Sequence, residues 1–558
     1  MLNAVALRQR FIALVLFLLV AVAGHADTSK ISPDLQPLLA NPSTTVNVIV
    51  QYNSPPQTCT SSGLLGGLVC TTVNLLGGVV HVVFSLINAV AGTMTTGNVL
   101  TLSNQSNVSY ISLDRHVAAS LDYSTAAVGA QTAWSAGLDG SGVGVAVIDS
   151  GIYNHADLMV PNSTRSRVVY RQSFIGGVQA DDFGHGTHVA GIIAGNGKTS
   201  NVSGSTHILK GLAPNANLLD LRVLDANGGS NDSVVIQAIQ QAVQLKSQYN
   251  VRVINLSLGR PIYESCTRDP LCQAVEMAWK NGIVVVAAAG NYGRNGYATI
   301  LSPGNSPHAI TVGAMKTEET YPNTDDLVAS YSSKGPTWID YTVKPDVVAP
   351  GNLTVSLLAP GSTLATQYPA NVVGPSYYKT GATGTPAYFR LSGTSMATPV
   401  VSGAAALMIQ KDPTLSPDTV KARLMKTAGK SFPVSSTATD PTTGQTYVST
   451  YDMFTIGAGY VNVAAALADY ETATKSAASP SVSYNPLTQQ ATLLLSSSLL
   501  WNSTSAWSTG AVWGTSVLSG TATNVWDAGA VWGTSVNWGA SVNWGASVNW
   551  GASINGEK

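Results

Sequence analysis

The sequence predicts an α/β fold in which a mostly parallel central sheet carries helices on both faces. The candidate strands at residues 143–148, 251–256 and 283–289 are continuous apolar runs, without the polar alternation of a half-exposed sheet. Such runs are typical of parallel strands that are covered on both sides. They alternate with segments of helical spacing, such as residues 234–246, and this order of strands and helices favours a parallel α/β sheet.

The first residues are interpreted as a secretory signal. Arg8 and Arg10 provide a positive flank, residues 11–23 are wholly apolar, and residues 24–26 follow as the cleavage site. A membrane anchor is the alternative, but the apolar run is shorter than the about 20 residues that a helix needs to cross a bilayer. We therefore expect residues 1–26 to be removed, no transmembrane segment in the mature chain, and a secreted, extracellular protein.

The rest of the chain divides into four segments, since 558 residues exceed what one core needs. The first is expected to be a small α+β domain, with strands rich in β-branched residues at 46–52, 79–87 and 108–113. The expected boundaries are 27–123 for this domain, 124–472 for the α/β domain, 473–500 for a linker rich in Ser and Ala, and 501–558 for a repetitive tail rich in Trp and Gly.

The tail repeats a six-residue unit that is clearest as Asn-Trp-Gly-Ala-Ser-Val. It contains eight of the 11 tryptophans: Trp501, Trp507, Trp513, Trp526, Trp532, Trp538, Trp544 and Trp550. In a strand, side chains six positions apart face the same side, whereas on a helix they would scatter. The repeat therefore favours an extended or solenoid-like structure. Three roles stay open: a flexible low-complexity tail, contact with a cell surface or polysaccharide through the aromatic row, and assembly or export.

The composition excludes nucleic acid as a partner. The net charge is −1 and only 10% of residues are charged, so the basic stripe that nucleic-acid binding requires is missing. The four cysteines form two local pairs, Cys59 with Cys70 and Cys266 with Cys272, and in an exported chain both pairs are expected to be disulfides. A zinc site is the alternative, but the spacing lacks a close Cys-x-x-Cys pair.

Two short blocks carry polar residues that are suited to catalysis. Asp149 follows the buried run at 143–148, where open α/β sheets place their functional sites; a carboxylate that caps a turn is the alternative. His185 is flanked by glycines that let the backbone approach a neighbour, and a predicted helix follows at 187–194. A structural pair with His188 is the alternative, and zinc is disfavoured because no acidic partner lies in the same turn.

Two further blocks supply a hydroxyl and an amide. Ser395 precedes an Ala-rich stretch at 400–410 that is predicted to be a buried helix, and the unpaired backbone N–H groups at such a terminus face any oxyanion. A helix cap by Ser395 or Thr394 is the alternative. Asn291 follows the buried strand at 283–289 and can offer its amide N–H to developing negative charge; a turn residue after glycine is the alternative.

Taken together, the blocks around Asp149, His185, Asn291 and Ser395, in that order, resemble the subtilisin-like serine peptidases. Further segments share the resemblance: 253–259, 302–305, 310–314, 330–336 and 344–351. It covers roughly residues 120–468. The upstream domain resembles, less closely, the inhibitory propeptide of this family, through its strand order and residues 107–117.

The resemblance implies a serine endopeptidase that works through an acyl-enzyme intermediate and needs no cofactor for its chemistry. It assigns Ser395 as the nucleophile, His185 as the base, Asp149 as the carboxylate that orients His185, and Asn291 with the Ser395 N–H as the oxyanion hole. It also implies that the chain's own propeptide assists folding, blocks the cleft and is removed by self-cleavage within residues 118–123.

Protein or peptide substrates are expected to bind as an extended strand between two edges of the cleft. The candidate residues are Ser257, Leu258 and Gly259 on one edge, and Gly228 and Gly229, with Ser230, on the other. Tyr292 follows Asn291 and nothing acidic lies nearby, so broad cleavage after apolar side chains is expected rather than a preference for basic ones.

No metal-ligand set is identified from the sequence. The loop at 195–210 departs from the family's usual calcium loop, and Asp157 is a single carboxylate, whereas calcium takes about six to eight oxygen ligands. A structural calcium ion therefore stays open. The segment 351–393 is longer than in compact members of the family and is expected to be a surface insertion near the cleft.

Three other functional classes compete with the endopeptidase. A catalytically silent surface-binding protein with a Trp-repeat anchor is the main alternative, and the complete set of four site residues counts against it. A cell-surface structural protein would use the repeats as its function and the peptidase domain only for processing. An esterase is disfavoured by the order of the blocks and by the lack of a Gly-x-Ser-x-Gly elbow.

Overall fold

The structure is a computed structural model that describes residues 28–55, 78–114, 116–119, 127–177, 180–205, 207–318, 320, 323–440, 444–485, 490–501, 507–513 and 557. The signal expected at 1–26, the pair Cys59 and Cys70, and the tryptophans from Trp526 onward lie outside these residues. The chain forms two compact units, Met1–Leu113 and Asp114–Lys558.

The first unit is a four-stranded antiparallel sheet with one helix. Its elements are β1 (Thr45–Tyr52), β2 (Val79–Phe84), β3 (Ala89–Thr95), α1 (Thr96–Ser103) and β4 (Val108–Leu113), preceded by 3-10 turns at Thr28–Lys30 and Gln36–Ala40. The strand order is β2-β3-β1-β4. The sequence analysis missed β3, whose Ala and Gly residues have weak strand propensity; it forms because it pairs on both sides, with β1 and β2.

The second unit is built on an eight-stranded sheet that is mostly parallel, as predicted. Its order is β14-β13-β12-β10-β6-β8-β7, with β15 beside β13, and within the described residues only the β13–β14 pair is antiparallel. The strands are β6 (Gly144–Asp149), β7 (Val168–Ser173), β8 (Asn217–Arg222), β10 (Val251–Leu256), β12 (Val284–Ala288), β13 (Ile310–Lys316), β14 (Leu327–Val328) and β15 (Val347–Pro350). Every residue of β6, β12 and β13 is buried, so both faces of the sheet are covered.

Helices pack against this sheet in two pairs, α3 with α8 and α4 with α6. The helices of the unit are α2 (Ala130–Ser135), α3 (His185–Ala194), α4 (Asp232–Gln244), α5 (Lys246–Tyr249), α6 (Pro270–Lys280), α7 (Thr363–Gln367), α8 (Thr394–Lys411), α9 (Pro417–Thr427), α10 (Val463–Ala468) and α11 (Thr509–Trp513). Helix α3 begins at His185, two residues earlier than predicted, and α8 begins at Thr394, so that Ser395 is at its N-terminus as predicted. Polar and small residues open both helices, and they carry no apolar periodicity.

The remaining strands form small sheets within the same unit. A three-stranded sheet joins β5 (His116–Ala119), β9 (Gly229–Asn231) and β11 (Leu258–Gly259), and another joins β16 (Thr354–Leu357), β17 (Val372–Val373) and β18 (Tyr388–Leu391). Two hairpins pair β19 (Ser435–Thr439) with β20 (Thr446–Thr450) and β21 (Ser481–Asn485) with β22 (Gln490–Leu494). Because β5 pairs with β9 and β11, its residues belong to the second compact unit, which begins at Asp114.

The segment predicted as a linker, residues 473–500, packs on the second unit. It contains the β21–β22 hairpin, and Ser479 donates a hydrogen bond to the buried carboxylate of Asp346 at 2.5 Å. Trp501 is buried and donates from Nε1 to the Ala478 carbonyl at 2.8 Å. A composition rich in Ser and Ala predicts a linker, but here backbone and hydroxyl hydrogen bonds hold the segment in place.

The first three tryptophans of the tail do not form an exposed row. The rings of Trp501 and Trp513 meet edge to face with centroids 5.4 Å apart, both are buried, and Lys426 Nζ lies 5.0 Å from the centre of the Trp507 ring. Trp513 ends a short helix, α11, and not an extended strand as the repeat predicted. These aromatic rings are buried against the domain, in contact with α9.

The predicted disulfide between Cys266 and Cys272 is present, with Cα atoms 5.3 Å apart. The segment 351–393 contains β16, β17, β18 and α7. Within the described part of the chain, no helix has both the length and the apolar character to cross a bilayer.

Candidate active site

The site forms at the carboxyl ends of the parallel strands, where three chain segments leave the sheet. Asp149 is the last residue of β6, Ser257 follows β10, and Asn291 comes three residues after the end of β12. Carboxyl ends of neighbouring parallel strands meet at one edge of a sheet, so these residues converge although they are far apart in sequence.

Asp149 and His185 are in direct contact. Asp149 Oδ1 lies 2.6 Å from His185 Nδ1 and also accepts a hydrogen bond from the Ser150 N–H at 2.7 Å. Both side chains are inaccessible to solvent. Because a carboxylate can only accept, Nδ1 carries the proton, and the lone pair of a neutral His185 is therefore on Nε2.

Glycines allow the two segments to approach this closely. A Cβ at Gly186 would lie 2.2 Å from the Gly151 carbonyl oxygen and 3.1 Å from the Asp149 Cβ. Gly184, before the helix, has φ of +100°, a conformation that side chains with a Cβ rarely adopt. The flanking glycines that marked His185 in the sequence therefore have a steric reason.

A buried carboxylate that the sequence analysis missed, Asp181, fixes the start of α3. Its Oδ1 accepts from the Gly184 N–H and the Ser150 hydroxyl, both at 2.7 Å, and its Oδ2 accepts from the N–H and hydroxyl of Thr187 at 2.8 and 2.5 Å. Burial raises the pKa of Asp181, while these hydrogen bonds act in the opposite direction. Asp181 therefore links the Asp149 segment to the His185 helix. Its position shortly before the Gly-His-Gly block is the only feature of the sequence that could have indicated this role.

Ser395 is the second residue of α8, and α8 packs against α3. Its hydroxyl is buried and donates to the Ser257 carbonyl at 3.0 Å. The Ser257 hydroxyl in turn donates to the Ser395 carbonyl at 2.7 Å. That carbonyl is four residues before Pro399, which has no N–H to close the helical bond, so Ser257 supplies the missing donor.

Asn291 is held against the start of the same helix. Its Oδ1 accepts from the Thr394 N–H at 2.9 Å and from the Thr394 hydroxyl at 3.1 Å. The Gly290 N–H donates to the Thr394 hydroxyl at 3.1 Å. Since the oxygen faces Thr394, the amide plane is fixed and the Nδ2 group is the donor branch of the side chain.

The predicted substrate edges enclose a strand of the chain itself. β5 runs antiparallel to both β9 and β11, with Ala118 paired to Gly229 on one side and to Gly259 on the other. Leu258 pairs with Ala119, and Ser230 pairs with Val117. The backbone of residues 116–119 therefore occupies the groove as an extended strand.

Two of the candidate edge residues have other surroundings. Gly228 is outside β9, has φ of +77°, and a Cβ there would lie 2.6 Å from the Phe183 ring. Ser257 precedes β11 and braces the Ser395 helix. The structure thus brings Leu258, Gly259 and Gly229 to the groove, whereas Gly228 shapes the turn before it.

A buried ion cluster joins the two edges of the groove. Arg260 follows β11, and its guanidinium donates to Asp232, which follows β9, at 2.9 to 3.2 Å and to Asp269 at 2.8 Å. All three side chains are almost fully buried. The sequence analysis missed this cluster, because the three residues are separated along the chain and form no motif.

The carboxylate that was considered for calcium is saturated by donors. Asp157 is buried; its Oδ1 accepts from the Thr199 N–H at 2.8 Å and the Thr199 hydroxyl at 2.5 Å, and its Oδ2 accepts from the Tyr388 hydroxyl at 2.6 Å. Groups that present protons do not fit around a cation. Within the described residues no group of three or more His, Cys, Asp or Glu side chains is arranged to hold a metal.

Comparisons with known proteins agree with this architecture. The subtilase family model matches residues 140–459. The chain is similar to the serine protease AprX of Bacillus subtilis, with 40% identity over 57% of this chain and 69% of that protein. It is also similar to subtilisin E of Bacillus subtilis, with 35% identity over 62% and 77% of the two chains, and to an alkaline protease of Alkalihalobacillus alcalophilus, with 36% identity over 58% and 69%.

Proposed function

Since the chain belongs to the subtilase family and is a serine endopeptidase, we propose that it is a secreted enzyme, made as a self-processing zymogen, that uses Ser395, His185 and Asp149. The contact of 2.6 Å between Asp149 and His185 carries this proposal. It holds the imidazole in the tautomer whose Nε2 can take a proton, which is the role of the carboxylate in the well-known subtilisin triad.

In acylation, Ser395 Oγ attacks the scissile carbonyl carbon and its proton moves to His185 Nε2. A serine hydroxyl is a weak nucleophile until such a base accepts its proton. The negative charge that develops on the carbonyl oxygen is stabilised by the Ser395 N–H, at the start of α8, and by Asn291 Nδ2. The peptide C–N bond then breaks, and His185 returns the proton to the leaving amine.

In deacylation, a water molecule takes the place of the amine. His185 accepts a proton from the water as the oxygen attacks the acyl carbon, and it returns a proton to Ser395 Oγ as the ester bond breaks. Asp149 stabilises the imidazolium that forms in each half of the cycle and stays ionised itself. No step needs a cofactor.

Ser257 immediately precedes the edge strand β11 that would pair with substrate, and its carbonyl accepts a hydrogen bond from the Ser395 hydroxyl at 3.0 Å. The substrate edge and the proposed nucleophile are thus joined through one residue.

The strand pairing of β5 supports the substrate mode and the zymogen. A peptide that replaced residues 116–119 would make the same antiparallel bonds to β9 and β11. A small hollow beyond β11 is lined mainly by apolar side chains, among them Ile262, Ile300, Leu301 and Trp338. With residues 27–123 as the propeptide, self-cleavage within 118–123 would vacate the groove.

A catalytically silent surface-binding protein with a Trp-repeat anchor is the alternative. A comparison of the full chain with a chain that ends after residue 513 separates the two roles. Unchanged peptide hydrolysis with loss of attachment to cells or polysaccharide would assign the enzyme to the domain and an anchoring role to the tail. Attachment without hydrolysis in the full chain would favour the silent protein.

The central experiment compares the wild-type chain with Ser395→Ala and with a matched control, Ser203→Ala, in an exposed loop. Intact mass and casein hydrolysis are measured for each. We expect wild type and Ser203→Ala to lose residues up to 118–123 and to digest casein. Ser395→Ala is expected to stay full-length after signal removal and to be inert.

Two results would contradict the proposal. Equal hydrolysis by Ser395→Ala would show that another residue is the nucleophile. An inert wild type with a native unfolding transition would favour the silent protein. Secretion is tested separately, by the mass of the exported chain after removal of residues 1–26.

A further inference from the structure

A glutamate that follows the Trp repeats, Glu557, is bound on the peptidase domain. Its carboxylate accepts from the Arg294 guanidinium at 3.0 Å, from the Ser330 N–H at 3.0 Å and from the Ser330 hydroxyl. Its own backbone is bound as well, because Asn352 Nδ2 donates to the Glu557 carbonyl and the Glu557 N–H donates to Asn352 Oδ1, both at 2.9 Å. We call Arg294, Ser330 and Asn352 the Glu557 site.

The Glu557 site is built as a receptor and not as a casual surface contact. Ser330 and Asn352 are 2% and 4% exposed, and Glu557 itself is 6% exposed. Asn352 makes two hydrogen bonds to one residue's backbone, which fixes the orientation of the bound residue, while Ser330 and Arg294 select a carboxylate of the right length. A buried charge of this kind is stable only with such complete pairing.

Arg294 is also held by groups other than the glutamate. Its Nε donates to the Ser330 hydroxyl at 2.9 Å, its Nη1 lies 2.8 Å from Asp440, and its guanidinium stacks over the Tyr447 ring at 4.7 Å. Burial alone would lower the pKa of Arg294, but the hydrogen bonds and charges of Glu557 and Asp440 raise it above its ordinary value. A guanidinium held in place in this way matches a carboxylate at little entropic cost.

The site shares backbone with the catalytic loops. Arg294 comes three residues after Asn291, and the intervening Gly293 N–H donates to the Tyr331 carbonyl at 2.8 Å. Asn352 follows Gly351, whose carbonyl accepts from the Gly393 N–H at 2.8 Å, directly before α8. A residue bound here therefore contacts the segment that carries Asn291, and it is linked through Asn352 and Gly351 to the segment that carries Ser395.

The first tryptophans of the tail are also attached to the peptidase domain. Trp501 and Trp513 are buried together, and α11, at Thr509–Trp513, contacts α9. The 43 residues from 514 to 556, which hold the five remaining tryptophans of the tail, lie between this attachment and Glu557. Both attachments are on the same unit.

We propose that the Glu557 site is a receptor for a glutamate in the segment after the Trp repeats, so that this glutamate is held on the peptidase domain beside the loop that carries Asn291. The ligand class is a peptide segment that presents one glutamate side chain together with its own N–H and C=O. The occupied site also braces the loop that carries Asn291.

The test is hydrogen exchange on the full chain carrying Ser395→Ala, in which intact mass first establishes that residue 557 is present. The Ser330 N–H reports the site directly, since it donates to Glu557. We expect Glu557→Ala to speed exchange of this amide about tenfold or more, and Glu557→Gln to give a smaller increase, because charge-assisted hydrogen bonds are the stronger ones. Glu471→Ala, an exposed carboxylate of the same unit, is the matched control and should leave it unchanged.

A second variant approaches the site from the domain. Asn352→Ala should raise Ser330 exchange as Glu557→Ala does, and combining the two should add little, because they remove the same contact. Exchange in β6 and in residues 507–513 should be unaffected by either variant, which shows that the fold and the first attachment persist. Unchanged Ser330 exchange in Glu557→Ala would overturn the proposal, whatever the outcome for catalysis, since no step of the test depends on activity.

Discussion

At the scale of single residues, the site depends on hydrogen bonds that the chemistry itself does not use. Ser257 supplies the donor that Pro399 lacks, and Asp181 holds the start of α3 with four hydrogen bonds. His188, one turn after His185, is fully buried and its Nε2 is 3.1 Å from the Phe389 carbonyl. Each of these residues fixes a backbone segment at the proposed catalytic site.

His188 predicts a pH dependence of stability. Burial, and then the charge of His185, lowers the pKa of His188 from 6.5 to about 3. Between these values the unfolded chain binds a proton that the folded chain does not, so the free energy of unfolding falls as the pH drops from 6.5 towards 3. The loss is about 1.4 kcal/mol per pH unit for one proton.

The measurement is urea unfolding between pH 4 and 6.5 in the Ser395→Ala chain. His188→Gln, which cannot take up a proton, should reduce the slope of stability against pH by up to about one proton. The exposed His207 offers a matched control, His207→Gln, for the loss of one imidazole. An equal slope in His188→Gln and its parent would contradict the prediction.

At the scale of elements, the groove is held open by an ion cluster that no strand or helix pattern reveals. Arg260, the residue after β11, binds Asp232, the first residue of α4, and also Asp269, the N-cap of α6. The groove edges are only two and three residues long, so pairing alone gives them little stability.

Arg260→Met should therefore weaken both stability and catalysis. It leaves Asp232 and Asp269 buried without their cation, and the breaking of a buried pair in this way costs about 3–5 kcal/mol. Arg260→Lys keeps the charge but loses the forked geometry of the guanidinium. Its stability and its kcat/KM should therefore lie between those of wild type and Arg260→Met. Urea unfolding gives the stability and peptide hydrolysis gives kcat/KM.

The exposed Arg268, in the disulfide loop, is the control, and Arg268→Met should be neutral in both measurements. If Arg260→Met unfolds as wild type does, the cluster does not stabilise the groove. If its stability drops but kcat/KM stays unchanged, the cluster supports the core and not the substrate edges.

Removal of calcium tests the loop around Asp157. Three donors from Thr199 and Tyr388 already occupy this carboxylate, so the loop should need no cation. We expect the thermal midpoint to be the same in calcium and in excess EGTA, because only a ligand that binds the folded state shifts it. A lower midpoint in EGTA would contradict this prediction.

At the scale of the whole molecule, residues 473–513 belong to the peptidase unit. Ser479 bonds to Asp346, which is buried between Lys344 and Lys421 at 2.6 and 3.0 Å, and Trp501 fills a buried position. Burial lowers the pKa of Lys344 to about 7, and the charge of Asp346 acts against that effect. The segment thus completes the hydrogen bonding of an ion cluster in the core.

A chain that ends after residue 472 should consequently lose stability, whereas one that ends after 513 should keep most of it. Loss of a buried Trp side chain alone costs about 3–5 kcal/mol. Thermal or urea unfolding of the two chains, both with Ser395→Ala, measures the difference. Equal midpoints would restore the interpretation of residues 473–500 as a linker.

Local pattern was sufficient for the parallel sheet and for the residues that end its strands. The apolar runs of β6, β10 and β12 specify buried strands, and parallel strands bring their carboxyl ends to one edge, so Asp149 and Asn291 were recognised with the blocks around them. The glycines beside His185 indicated a close approach between this segment and a neighbouring one, because a Cβ at these positions would not fit.

Tertiary structure decided what depends on partners that are distant in sequence. Four features were not predicted: the role of Asp181, the Arg260 cluster, the packing of residues 473–513 and the binding of Glu557. Each depends on polar or isolated residues that only the fold brings together with their partners. Such contacts leave no periodicity, because a hydrogen bond or ion pair requires only that two groups meet in space. Buried apolar residues recur at regular intervals along a strand or helix, so they can be recognised from the local sequence. The partner of a buried polar group is determined only when the chain has folded.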